Sequence, residues 1–189
     1  MASAPVSTAL HSAQPAPAPA WVRWVHAASR VTGVFAAGLI LLSVGVICQM
    51  VFVRAVLGQS SIWQTEFVTF AIVGATFLGA PYILLTRGHV AVDVVPLMVG
   101  MASRRRMMVA GHLVMGVFCG CFLWASIPWW WEAFQTGQTT PSIWRVRVWI
   151  PYLAVPVGLA LLCLQVLADL SQVLGRRDLP FGLKEEDRL

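Results

Sequence analysis

The sequence predicts an all-α integral membrane protein of four transmembrane helices, with a short interfacial helix between the second and third and both termini in the cytoplasm. Three observations carry this. Four stretches free of charged side chains, 31–53, 67–86, 107–131 and 148–168, run for 23, 20, 25 and 21 residues. A helix rises about 1.5 Å per residue and a hydrocarbon core is about 30 Å thick, so about 20 apolar residues span it and each stretch is long enough. Hydrophobic residues make up 58% of the 189 and charged residues 11%, where a soluble domain carries about a quarter charged. The basic residues also fall in the gaps between the stretches rather than inside them.

Those gaps set the orientation. Arg23 and Arg30 precede the first span, Arg87 and Arg104 to Arg106 lie between the second and third, and Arg176, Arg177, Lys184 and Arg188 follow the fourth. Arg54, Arg145 and Arg147 lie on the other side, so ten of the thirteen Lys and Arg share the face of the termini. Cytoplasmic loops carry the excess of Lys and Arg, which places both termini inside. Trp63, Trp129 to Trp131, Trp144 and Trp149 then gather at the outer ends, and Trp21 and Trp24 at the inner face. Their rings, apolar with one N–H, suit the membrane interface. The net charge of +5 is explained by this anchoring, and nucleic acid is not an expected partner; membrane lipid is.

Taken in order, residues 1–20 are rich in Ala, Pro and Ser and lack an apolar signal-peptide core, and are expected to form a disordered cytoplasmic tail. The membrane domain covers 21–175. Its first span starts near Trp24 or His26 and closes at Arg54, with Gln49 a lone polar residue near its outer end. Gly58 breaks that helix, and Ser60 or Ser61 can cap the second, which begins around Ile62. Ala71, Ala75 and Gly79 recur every four residues, a small face that lets backbones approach closely. After Pro81, Asp93 can cap the interfacial helix, about 94–101. The third span follows the arginine triplet with Ser103 as candidate cap, carries the pair Gly116 and Gly120, and ends at Pro128 and three tryptophans. The fourth holds Pro151 and Pro156 in its first turns, where proline is tolerated, and the small pair Ala154 and Gly158. Residues 176–189 form a polar cytoplasmic tail.

Chemistry-bearing residues are few. No Asp, Glu, Lys, Arg or His is expected at mid-membrane depth, where ion relays and substrate paths need them, so the chain is not expected to transport by itself. Nor is there an internal repeat of the kind many complete transporters carry. Glu66 sits one turn into the second helix, either as a charge favoured by the helix start or as a partner of Arg54 or of another subunit. Arg145 and Arg147 alternate with Trp144, Val146 and Trp149, either snorkelling beside an aromatic belt or forming a docking patch for an acidic surface. His89 and Asp93 can hydrogen-bond within their loop. His26, His89 and His112 lie toward the inner side, but haem would need two on facing helices at one depth, and no cofactor is expected. Cys48, Cys119, Cys121 and Cys163 read as small packing residues rather than a redox or metal set. No Walker, HExxH, GxSxG or CxxC motif is present, and the chain is not expected to be an enzyme.

The run VFVRAVLGQSSIWQTEFVTFAIVGATFLGAPYILLTRGHVAVD resembles the small permease subunit of tripartite ATP-independent periplasmic (TRAP) transporters. The shared pattern is Arg54 closing the first span, Ser61 and Trp63 in a short connection, Glu66 opening the second span, Phe77 to Ala80, then Gly88, His89, Val92 and Asp93. Ile150, Pro151, Pro156 and Gly158 match the family's last helix, and the likeness covers roughly 25–174. Two positions depart: Thr65 stands where a second acid is common, and Thr69 where a basic residue is. The resemblance implies two partners, a large permease subunit and a periplasmic substrate-binding protein. It also implies sodium-coupled, elevator-type uptake of an organic acid, with the small subunit as scaffold. Competing readings are a haem-binding membrane anchor of a redox enzyme and a self-contained homo-oligomeric channel.

Overall fold

The structure, a computed structural model, describes residues 19–59, 62–86, 100–142 and 144–175. These form α1 (Ala20–Leu57), α2 (Trp63–Leu85), α3 (Met101–Thr136), the single turn α4 (Trp149–Tyr152) and α5 (Ala154–Leu174). Four helical segments are long and apolar enough to cross a membrane, α4 and α5 together making the fourth. Among the described residues there is no strand beyond one isolated bridge, Thr139 to Arg147. The expected all-α, four-span architecture is therefore what the chain adopts.

Helix ends follow local chemistry. α1 starts after Pro19 and stops at Gly58, whose φ of 61° is a left-handed conformation that glycine adopts without a Cβ penalty. Gly137 ends α3 in the same way, also at φ 61°. Two expectations for the third span are corrected. Its helix begins at Met101, capped by Gly100 in an extended conformation, so Ser103 lies inside it and Met101 does not close an interfacial helix. It also passes through Pro128 to Thr136. Hydropathy registers only the apolar middle, whereas Arg, Glu and Gln are good helix formers that prolong a helix into the headgroup region and water. With 38 and 36 residues, α1 and α3 run about 57 and 54 Å, well beyond one hydrocarbon core. The rest of the interfacial helix lies outside the described residues, as do Gly88, His89, Asp93 and both tails.

The helices alternate in direction, which gives the bundle two ends. The tryptophan end holds the α1–α2 and α3–α4 connections; the arginine end holds the start of α1, the start of α3 and the end of α5. α1 packs along α2, α2 along α5, and α3 chiefly on α5. The fourth span is the most covered and the third the least, 39% against 6% of the apolar window, which makes α5 the hub and α3 peripheral. Lipid solvates apolar side chains as well as protein does, so exposed residues such as Trp124, Phe118 and Leu41 cost nothing in a membrane.

Close packing is set by small residues. A Cβ on Gly158 would overlap the backbone carbonyl of Phe77, which marks the tightest approach of α2 to α5. A Cβ on Gly33 would overlap the ring of Tyr82, and one on Gly79 would lie 3.3 Å from that of Ala36, both between α1 and α2. Ala71, Ala75 and Gly79 are all buried, as a helix-packing face requires. The Gly116 and Gly120 pair divides: a Cβ on Gly116 would lie 3.5 Å from Val166 of α5, while Gly120 faces open space. The seam of α3 instead runs through buried Cys119, Ser126 and Ala133, seven residues apart, a narrow stripe of coiled-coil type. Cys119 packs as expected; Cys48 and Cys121 are exposed, so they face outward rather than into the bundle.

Candidate functional site

Two polar constellations stand out in a bundle otherwise held by apolar contact. The first is at the tryptophan end, where residues 137–148 fold back on themselves. The amide of Thr140 donates to the carbonyl of Val146 at 3.0 Å, and that of Val148 to Gln138 at 3.0 Å. Arg145, at φ 46°, turns the chain between them. Glu66 holds this loop. Its Oε2 accepts a hydrogen bond from the buried Thr140 hydroxyl at 3.2 Å, and Thr140 Oγ1 in turn accepts the Val146 amide at 3.2 Å. Ser142 Oγ lies 3.2 Å from the same hydroxyl and accepts the amide of Trp144. Among the described residues Glu66 makes no ion pair with Arg54, which is exposed at the end of α1. Of the two partners expected for Glu66, Arg54 is not the one the fold provides; Thr140, 74 positions away, is.

Aromatic contacts brace the loop. Trp63 and Trp144 meet at 6.0 Å between ring centroids, joining the start of α2 to the loop. Trp129 stacks on Tyr152 at 3.9 Å, and Phe134 meets Trp149 edge-on at 5.4 Å. Trp130 Nε1 donates to the carbonyl of Trp149 at 3.1 Å. Arg145 and Arg147 remain exposed on the outer surface of the braced loop.

The second constellation lies between α1 and α5 near the arginine end. Ser29 and Gln165 are fully buried, and the Ser29 hydroxyl donates to Gln165 Oε1 at 3.0 Å. Gln165 Nε2 donates to Asp169 Oδ1 at 2.9 Å, and His26 Nε2 lies 3.9 Å from that oxygen. Asp169 is thus tied to α1, where its sequence neighbours Arg176 and Arg177 lie outside the described residues. At this end Arg105 Nη2 donates to the carbonyl of Leu174 at 2.7 Å, a cation on the last carbonyls of α5. His112 has a ring nitrogen 2.8 Å from the carbonyl of Met108. Nearer the tryptophan end, the side chains of Gln49 and Gln64 hydrogen-bond between α1 and α2, so Gln49 is not a lone polar residue.

These pairings were not read from the sequence. Gln64 and Gln165 are polar residues inside apolar helices, which is the one signal that could have found them, because an amide in hydrocarbon requires a partner. Among the described residues no three His, Cys, Asp or Glu gather where they could hold a metal ion.

Comparison with known proteins agrees with this architecture. The family model for "Tripartite ATP-independent periplasmic transporters, DctQ component" matches residues 43–176, from the middle of α1 to just past α5. A curated relative, the C4-dicarboxylate TRAP transporter small permease protein DctQ of Pseudomonas aeruginosa, is 28% identical over 132 residues. The matched region is 69% of this chain and 63% of that relative, so the chain spans a little under two thirds of the relative's length. No solved structure matches. The match takes in α2, the Glu66-held loop and the α5 hub together, and the chain belongs to the DctQ family of TRAP transporter small permease subunits, a transporter component and not an enzyme.

Proposed function

We propose that this subunit is a scaffold for a large permease subunit, in a system that takes up an organic acid delivered by a periplasmic binding protein and driven by a sodium gradient. Both termini, with residues 1–20 and 176–189, lie in the cytoplasm, and the tryptophan end faces the periplasm of a bacterial inner membrane. The observation that carries the scaffold reading is how the polar groups within the spans are used. Gln49 with Gln64, and Ser29 with Gln165, join helix to helix, and Gln165 in turn holds Asp169 within α5. Polar side chains spent on joining helices line no path for an ionised substrate across the bilayer. Carriage therefore belongs to another chain. The printed name of the Pseudomonas relative supports C4-dicarboxylates as one candidate substrate class.

The test is affinity purification of the tagged chain from native membranes, with mass spectrometry of what accompanies it. A multi-span permease in the eluate is expected; a redox enzyme subunit, or no partner, would overturn the assignment of partner.

The exposed Arg145 and Arg147, on a loop fixed by Glu66 and Thr140, fit a docking patch for an acidic surface of the binding protein. Charge complementarity acts mainly on encounter rate and specificity. Arg145→Glu with Arg147→Glu is expected to lower uptake by about tenfold or more at low salt while leaving complex yield unchanged. Uptake at the level of the unsubstituted complex would exclude the patch.

A further inference from the structure

At the tryptophan end α1 and α5 stand apart, and α2 forms the floor between them. The resulting groove has a volume of about 440 Å³ and only apolar or aromatic lining, with Phe35 and Leu39 on one wall and Leu153 and Val157 on the other. Phe67, Phe70 and Leu78 form most of its floor and Ala71 and Gly74 the low part: a Cβ on Gly74 would sit 3.6 Å from Leu39 and 3.7 Å from Ala154, in ordinary contact with both walls. Trp144 and Val146 form its mouth, on the same loop that carries Arg145 and Arg147.

The depth of the groove decides what fits it. Along α2 the lining runs from Phe67 to Leu78. That is about 16 Å at about 1.5 Å per residue, or one half of a hydrocarbon core about 30 Å thick. Beyond Phe35, toward the arginine end, the walls are joined where Ser29 bonds Gln165 across the space between α1 and α5. A transmembrane helix of a partner would need a seam through both halves of the bilayer and a channel about 10 Å wide. An acyl chain needs the depth of one leaflet, an apolar lining, and an exit at the headgroup level.

We propose that the groove binds one acyl chain of a phospholipid from the leaflet at the tryptophan end, with the lipid phosphate beside Arg145 and Arg147. Guanidinium groups pair with phosphate through charge-assisted hydrogen bonds. The aromatic mouth sits where the glycerol region of the lipid would lie. The bound chain fills the groove between α1 and α5 and completes the packing on the outer half of α2. This inference rests on the membrane placement of the spans and not on the transport reading, so a failed search for a permease partner leaves it standing.

The test uses the full chain in nanodiscs of palmitoyl-oleoyl phosphatidylglycerol, released into native mass spectrometry. One retained lipid per chain is expected. Val157→Trp, which fills the groove, should lower its retention by about tenfold, equivalent to about 1.4 kcal/mol. Val117→Trp, on the exposed surface of α3, should leave retention unchanged. Equal retention in all three proteins would mean unspecific boundary lipid and overturn the proposal. A second measurement avoids any folding defect of the filled variant: a photoreactive benzoylphenylalanine in place of Phe35, irradiated in native membranes. An adduct of phospholipid mass supports the proposal, whereas cross-linking to a large subunit or to a second copy of this chain overturns it. Val157→Trp keeps both arginines, so its uptake separates loss of the lipid from loss of the docking patch.

Discussion

Gly158→Ala is expected to be among the most damaging single-methyl additions to this protein. The added Cβ would overlap the main-chain carbonyl of Phe77, and a helix backbone has no rotamer by which to step aside. α2 and α5 must separate, and with them the packing of the hub, since membrane helices are held by close backbone approach rather than by hydrophobic expulsion. Overpacking of a fitted interior costs about 1–3 kcal/mol, and the upper part of that range is expected here. Thermal unfolding in detergent, or loss of monodisperse protein on heating, reads the effect. Three companion variants set the scale. Gly33→Ala meets Tyr82 at its Cβ and Cγ, which side-chain rotation does not carry away, and should cost about as much by parting α1 from α2. Gly38→Ala and Gly45→Ala meet nothing within 4 Å and should be silent in the isolated chain. A Gly158→Ala protein as stable as Gly38→Ala would show that α2 and α5 do not pack as described.

Gln165→Leu is expected to have the second-largest effect. The side chain is fully buried and carries both hydrogen bonds that tie Ser29 of α1 to Asp169 of α5. Leucine fills a similar volume, so the loss is chiefly polar. Ser29 can redirect its hydroxyl to a carbonyl in its own helix, as serine does in membrane helices. Asp169 loses a donor at a partly buried site, which is the costlier half. Interhelical hydrogen bonds in membranes contribute about 0.6 kcal/mol on average and up to about 1.7; the Ser29–Gln165 bond is of this kind and the Gln165–Asp169 bond lies within α5, so the combined loss should fall near the top of that range. Ser29→Ala alone should cost well under half as much. A double-mutant cycle between the two isolates their coupling. Strict additivity of Ser29→Ala and Gln165→Leu would deny that they interact.

The spans were legible because hydropathy over about 20 residues is a local property. So were the buried faces of Ala71, Ala75 and Gly79, because regular spacing on one helix reports one surface. Partners were not legible. Ser29 and Gln165 are 136 residues apart, and nothing near either names the other. Glu66 shows the same limit: Arg54 is close in sequence and opposite in charge, yet Thr140 on a returning loop reaches it first. The Gly116 and Gly120 pair divides within this chain: Gly116 meets Val166 of α5 and Gly120 faces outward. Spacing fixes the relation between two residues, whereas the position of α5 decides which stripe of α3 is used, and it selects Cys119, Ser126 and Ala133. The extent of α3 was underestimated because its arginine-bearing and tryptophan-bearing ends are helical without being apolar. The DctQ resemblance was legible from the order of short motifs around α2, the part of the chain that makes both the groove floor and the Glu66 contact.

The hub position of α5 has a consequence for biogenesis. α1 and α2 are neighbours in sequence and pack along each other, so this hairpin can assemble while the ribosome is still adding residues. α3 rests chiefly on α5, and α5 is the last span to emerge. During synthesis α3 therefore waits in the bilayer without its principal protein contact, and the Ser29–Gln165 tie cannot form until α5 has been made. A nascent chain stalled before residue 154 would hold one finished hairpin and one orphaned helix.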